Sequence, residues 1–121
     1  MIENARIIST QLGFPDKGIA TAWITLEGNG WGCGFGGYAL DKWDETQNDR
    51  IDIPLFGWFV RRVLETLKVD TWEEVKGKLI RAEVGRCGES IPAIGHIIED
   101  RWFRPREEIE EYLCKQSTTT D

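Results

Sequence analysis

The run Arg101-Trp102-Phe103-Arg104-Pro105-Arg106 alternates cations with aromatic rings, and its proline suits the first turn of a helix. Guanidinium groups grip phosphate oxygens through paired donors, and aromatic faces stack on bases. A helix start adds backbone amides that favour an anion. A nucleotide carries a flat base and phosphates together, so Arg101, Trp102, Phe103, Arg104 and Arg106 are candidate ligand-binding residues. The competing reading places Trp102 and Phe103 in the core as anchors of the helix and leaves the arginines solvated. A second pair, Arg61 and Arg62, falls on the polar side of a helical pattern. Arg62 follows Trp58 by four residues, the spacing of a cation–π pair, and Arg61 precedes Glu65 by four, which can neutralise it. His96, the one histidine of the chain, is a candidate general base. Its plainer role is a hydrogen bond at a strand end.

Other chemistry finds little support. Gly32-x-Gly34-x-x-Gly37 matches a dinucleotide-binding fingerprint in letters. That motif works only where a strand gives way to a helix, and Tyr38-Ala39-Leu40-Asp41 continues strand-like into a loop. There is no Gly-Lys-Ser/Thr for a phosphate-binding loop. Cys33, Cys87 and Cys114 are too scattered for a zinc signature. The acidic run Asp41-Lys42-Trp43-Asp44-Glu45 fits no calcium loop and reads as solvated. The expectation is a protein with no catalytic set, no metal and no cofactor.

The elements that must position these residues follow from periodicity. Ala5 to Leu12 and Ile19 to Leu26 read as strands, with a turn at Gly13-Phe14-Pro15-Asp16-Lys17-Gly18. Glycine then takes every second position from Gly28 to Gly36. On a strand this leaves Asn29, Trp31, Cys33 and Phe35 on one face and no side chains on the other. Glycine weakens a strand, so something should lie close to that bare backbone: a planar ligand, an aromatic ring from elsewhere in the chain, or a partner subunit. The strand is expected to run through Leu40 and to complete an antiparallel meander. Residues 41–52 read as a surface loop. From Pro54, Phe56, Val60, Val63, Leu64 and Leu67 recur at helical spacing. Asp70-Thr71-Trp72-Glu73-Glu74 carries capping-box patterns and predicts a short helix of about two turns, stopped at Gly77. Leu79 to Val84 and Ile91 to Ile98 read as a hairpin around 85–89, and Pro105 opens a last helix whose Ile109, Tyr112 and Leu113 share a face. The fold class is α+β: a single compact domain over 1–116 with an antiparallel sheet of about five strands and two or three helices, and a frayed tail at 117–121.

Composition narrows the function classes. The chain has 121 residues, a net charge of −6 and 40% hydrophobic residues, which is ordinary for one globular domain. A duplex-binding surface needs clustered cations and is not expected, although a small anionic ligand needs only a few. The apolar stretches are too short to span a bilayer, and the polar start Met1-Ile2-Glu3-Asn4 is unlike a signal peptide. Three cysteines without a Cys-x-x-Cys pair read as reduced, mostly buried thiols in a cytoplasmic protein.

Taken together, Ile2–Ile7, the block Gly34-Phe35-Gly36-Gly37-Tyr38-Ala39-Leu40-Asp41, Arg61–Leu67, Asp70–Glu74 with Gly77-Lys78, and Ala93–Phe103 resemble small phage and prophage proteins. The family is that of the Thoeris anti-defence sponges of the first type, and the resemblance covers most of the chain up to the last helix. It implies an α+β protein that assembles as a dimer or larger symmetric oligomer in the host cytoplasm. It further implies sequestration, without cleavage, of cyclic ADP-ribose isomers made by bacterial TIR-domain defence enzymes; some members also hold cyclic oligonucleotides. On that resemblance Arg61 or Arg62 pairs with phosphate, Trp102 or Phe103 flanks the base, and His96 is pocket wall at most. Pockets in the family are shared between protomers, so the glycine strand can serve assembly instead of ligand contact. A different class is an acidic protein–protein inhibitor of a defence complex, anti-CRISPR-like, in which 41–52 and 107–111 mimic nucleic acid. A third is a hydrolase using His96 with a metal.

Overall fold

The computed structural model describes residues 1–85 and 89–118. The alternating first segments form β1 (Ile2–Asp16), β2 (Ile19–Gly28) and β3 (Trp31–Gly36), paired as an antiparallel meander. β1 runs past Leu12 through Gly13-Phe14-Pro15-Asp16, where the sequence predicts a turn. Its pairing with the neighbour on the other side ends at Arg6, so this end of β1 has only β2 beside it. A proline is tolerated at such an edge because its missing N–H breaks no central ladder. The turn itself shrinks to Lys17 and Gly18, both at positive φ, which is the two-residue hairpin geometry that matches strand twist. At its far end β3 stops at Gly36 instead of reaching Leu40, because Gly36 and Gly37 turn to positive φ and the chain leaves the sheet.

Three further strands complete the sheet: β6 (Leu79–Glu83), β7 (Ala93–His96) and β8 (Trp102–Phe103). The order is β3-β2-β1-β6-β7-β8, antiparallel throughout. β7 is shorter than the expected 91–98, and β8 forms inside the cation–aromatic run, where no strand is expected. Residues 41–52 are also more ordered than a loop. Lys42–Asp44 (β4) and Asp49–Ile51 (β5) pair as a separate hairpin, anchored where Asp41 meets Arg50 at 2.6 Å and accepts the Ala20 N–H at 3.0 Å. The fold is α+β as expected, with more strands.

Two α-helices cover one face of the sheet. α1 (Leu55–Leu67) buries Leu55, Phe59, Val63, Thr66 and Leu67. The buried stripe is turned from the expected one, so Phe56, Val60 and Leu64 are only half-buried. α2 (Pro105–Thr118) packs Ile109 and Tyr112 on the core, whereas Leu113 is 43% exposed. The helix predicted at 70–77 contracts to one 3₁₀ turn, Trp72–Glu74. Neither capping box forms: Glu74 reaches one residue past Thr71 and accepts the Asp70 N–H at 3.0 Å. Thr71 makes no side-chain cap, and Gly77 donates instead to the Ile7 carbonyl at 2.7 Å, which draws the chain back to β1.

The sheet is coiled, not flat. Six flat strands would hold their edges roughly 24 Å apart, yet the rings of Phe35 on β3 and Phe103 on β8 lie 6.0 Å apart by centroid. Phe59 of α1 sits between them at 6.3 and 5.1 Å. The Ile91 N–H, just ahead of β7, donates to the Gly34 carbonyl of β3 at 2.9 Å and helps close the curl. The core is therefore the concave side of the sheet, filled by α1.

The bare glycine face is covered from within the chain only at its far end; over Gly30 and Gly32 it lines an open hollow of about 800 Å³. The Trp23 indole of β2 lies across the covered end, so a Cβ at Gly34 would stand 3.1 Å from the ring and one at Gly37 would overlap it. At Gly34 and Gly37 the expected occupant is thus an aromatic ring from elsewhere in the chain. Trp102 repeats the arrangement over Gly95, where a Cβ would come within 2.7 Å of the indole. Cys33 is half-buried and donates to the Glu89 carbonyl, whereas Cys114 is exposed, contrary to the expectation of mostly buried thiols; Cys87 lies outside the described residues.

No helix among the described residues is long and apolar enough to cross a membrane. The expected loop at 85–89 and tail at 117–121 fall partly outside the described residues. The part of the tail that is described continues α2 through Thr118.

Candidate functional site

Helical periodicity puts Gly57, Val60, Arg61, Leu64, Glu65 and Lys68 on one stripe of α1. That stripe lines an open groove of about 830 Å³, closed on its sides by Arg62, Val69, Asp70 and Arg101. Four cations meet here, on a chain whose net charge is −6. Three of them are already engaged. The Arg62 guanidinium donates to Glu108 at 2.9 Å and to the Trp102 carbonyl at 3.0 Å. Lys68 and Arg101 hold the two oxygens of Glu99, at 2.8 and 3.0 Å, and Arg101 also donates to the Glu65 carbonyl at 3.1 Å. Lys68 first, then Arg101, keeps the Glu99 carboxyl below the ordinary glutamate range. Arg61 is exposed and has no hydrogen-bond or ion-pair partner among the described residues.

Two expected partnerships are exchanged for others. Glu65 lies 3.6 Å from Arg62, not against Arg61. Arg62 covers the Phe103 ring at 5.0 Å instead of Trp58, whose indole stacks on Tyr112 at 4.7 Å. Arg62 is drawn inward because Glu108 and the Trp102 carbonyl lie together at the helix–sheet junction.

The cation–aromatic run does not form one site. Phe103 is fully buried between Phe35, Trp58 and Phe59, so it presents no face to a ligand and serves as the core anchor. Trp102 points to the opposite side of β8, over Gly95, with Arg81 at 5.0 Å and Arg104 at 5.9 Å from its ring. Arg104 is paired with Glu83 at 2.9 Å, an interaction that holds the Glu83 carboxyl below its ordinary value and raises Arg104. The start of α2 offers less to an anion than its sequence suggests, because Glu108 already accepts the Arg104 N–H at 2.7 Å. Arg106 is exposed and faces a smaller hollow of about 490 Å³ with Tyr38, Ser90 and Pro92. Burial raises the Tyr38 phenol, and Arg106 offsets part of that rise.

His96 closes a turn. Its Nδ1 accepts the backbone N–H groups of Ile98 and Glu99 at 3.1 and 3.0 Å, which assigns the ring proton of the neutral form to Nε2. Arg81 ties the same turn through the His96 and Glu99 carbonyls. No three His, Cys, Asp or Glu side chains among the described residues converge on a point where a metal ion would be held.

The structure thus gathers Arg61, Arg62 and Arg101 into one groove and leaves His96, Trp102, Phe103, Arg104 and Arg106 elsewhere. Lys68, Asp70, Val60 and Gly57 join the groove without having been singled out as site residues. The signal for three of these, Gly57, Val60 and Lys68, was present as helical spacing along one stripe; the convergence of Arg101 on it required the tertiary fold. The groove presents one guanidinium unpaired among the described residues, three guarded cations, two carboxylate acceptors and an apolar floor. Compared with protein-family models, with curated proteins and with solved structures, the chain matches none.

Proposed function

We propose that this protein binds a cyclic nucleotide immune signal in the groove along α1 and sequesters it uncleaved. The observation that carries the reading is Arg61, an unpartnered guanidinium on the groove wall of an otherwise acidic chain. Phosphate oxygens take paired donors from such a group. Arg101 and Lys68 supply further positive charge once Glu99 yields, and Glu65 and Asp70 are acceptors for ribose hydroxyls. A volume of about 830 Å³ lies within the usual range for a small-molecule site. The resemblance to Thoeris anti-defence sponges supports the same ligand class, a homo-oligomeric assembly and action in the host cytoplasm.

The test is calorimetry of the purified protein against cyclic ADP-ribose isomers and cyclic di- and trinucleotides, with bound ligand released by heat and weighed by mass spectrometry. Tight binding of one of them, recovered intact, is expected. A processed product, or no binding across the panel, defeats the reading. The acidic-inhibitor alternative draws on exposed Glu107, Glu110 and Glu111 of α2. It has less free charge than the sequence suggests, since Asp41 is held by Arg50 and Glu108 by Arg62. Charge reversal at Glu107, Glu110 and Glu111 abolishes inhibition under that alternative and spares a sponge.

A further inference from the structure

Gly57 is the third residue of α1, and nothing in the chain's own packing calls for it. Its φ is not positive, and a Cβ built there meets no atom within 4 Å. Glycine in a helix is less stable than alanine, so an exposed helical glycine with open space around it is a standing cost. The close-packed glycines of this protein have an evident neighbour: Gly34 and Gly37 lie under Trp23, Gly95 under Trp102 and Gly28 under Trp31, and Gly36 lies against the Ala22 carbonyl. Gly57 has no such ring over it, and it lines the groove one helical turn from Arg61.

We infer that Gly57 is the seat of the ligand's planar base, which lies directly on the α1 backbone with Val60 beside it and leaves the Arg61 guanidinium, one turn further on, to the phosphates. The inference rests on the reading of the groove as a nucleotide site and assigns its two ends. The cations mark the phosphate end, which begins at Arg61, about 6 Å along the helix axis from Gly57, and is completed by Lys68 and Arg101. Gly57 and Val60 carry no charge and no side-chain donor, which suits the flat, weakly polar part of a nucleotide and not its phosphates. A side chain at position 57 would stand where the ring has to lie. The groove contains no aromatic side chain to stack on, so close approach to bare backbone takes the place of a stacking ring.

The experiment compares Gly57→Ala, Gly57→Leu and Arg61→Glu with the unaltered full chain, by thermal melting and by calorimetry with cyclic ADP-ribose. Gly57→Ala is expected to raise Tm by roughly 2–4 °C while weakening binding several-fold. Gly57→Leu is expected to weaken it at least tenfold, with a cooperative melt retained. Millimolar pyrophosphate is expected to change the Tm of Gly57→Leu by the same amount as that of the unaltered protein, because the phosphate end is untouched. Full affinity in Gly57→Leu overturns the seat; if Arg61→Glu still loses binding, the groove reading stands without it. A pyrophosphate response lost in Gly57→Leu along with the cyclic ADP-ribose binding moves the obstruction to the phosphates and also overturns the seat. Failure of cyclic ADP-ribose to bind the unaltered protein overturns the seat and counts against the groove reading, which the wider panel of cyclic nucleotides then decides.

Discussion

The groove along α1 and the segment 101–106 are both rich in arginine, and they differ in what their cations touch. In the segment, Arg104 is spent on Glu83 and Arg101 on Glu99 and a carbonyl, Phe103 is core and Trp102 covers Gly95. On α1, Arg61 has no partner among the described residues while its neighbour Arg62 is tied to Glu108. Adjacent residues on one helix thus have opposite roles, one open to a ligand and one structural. A guanidinium is most open to a ligand where the fold gives it no carboxylate, and composition cannot report that.

The comparison is broken most severely at Phe103. Phe103→Ala removes the ring that joins β8 to Phe35, Trp58 and Phe59, and should cost about 3–5 kcal/mol in urea denaturation. An effect below about 1 kcal/mol would mean that the segment is not the structural half of the pair. Arg62→Ala comes next. It strips Glu108 of its guanidinium and the Trp102 carbonyl of a donor, with an expected loss of about 1–3 kcal/mol by the same assay.

Arg61→Glu sharpens the other half. Stability should stay within about 0.5 kcal/mol, as for an exposed site. Affinity for the nucleotide should fall by about 1.5–3 kcal/mol, or roughly ten- to a hundredfold, read by calorimetry. If Arg61→Glu binds normally while Arg62→Ala does not, the two arginines exchange roles. Arg106→Ala should leave both stability and affinity nearly unchanged, because its hollow with Tyr38 is separate from the groove.

Acid gives the smallest effect. The carboxyls of Asp41, Glu83 and Glu99 are held below their ordinary values, chiefly by hydrogen bonds from Arg50, Arg104 and Lys68 respectively. A carboxyl lowered in the folded state contributes stability that is full above its unfolded value and is lost as pH falls through the folded one. Tm should therefore hold steady near neutrality and decline below about pH 4. The decline should be shallower in Arg104→Gln, where the Glu83 part is gone. An identical acid profile in that variant would show that the Glu83–Arg104 pair contributes nothing, as many exposed pairs do.

Much of the fold was legible. Period-two alternation located β1 to β3, and the helical spacing after Pro54 located α1, because both patterns reflect burial of one face. Errors fell where a partner outweighed local preference. Gly13-Phe14-Pro15-Asp16 stayed in β1 because β2 continued beside it. The capped segment at 70–77 did not become a full helix because Gly77 found the Ile7 carbonyl. β8 escaped notice because two residues carry no period at all. The candidate site was half legible: Arg61 and Lys68 lie on a visible stripe, whereas Arg101 reaches that stripe from forty residues away.

The sequence by itself determined the α+β class, the meander, the amphipathic α1 and the presence of bare glycine backbone, since each depends on short-range periodicity and on the absence of a Cβ. Only the tertiary structure decided that Trp23 and Trp102 cover two of those glycine sites while Gly57 is left open. It alone decided which arginines meet carboxylates and which do not. The physical reason is that a charge or a ring acts over a few ångströms, and which groups come within that distance is set by how the sheet coils around α1.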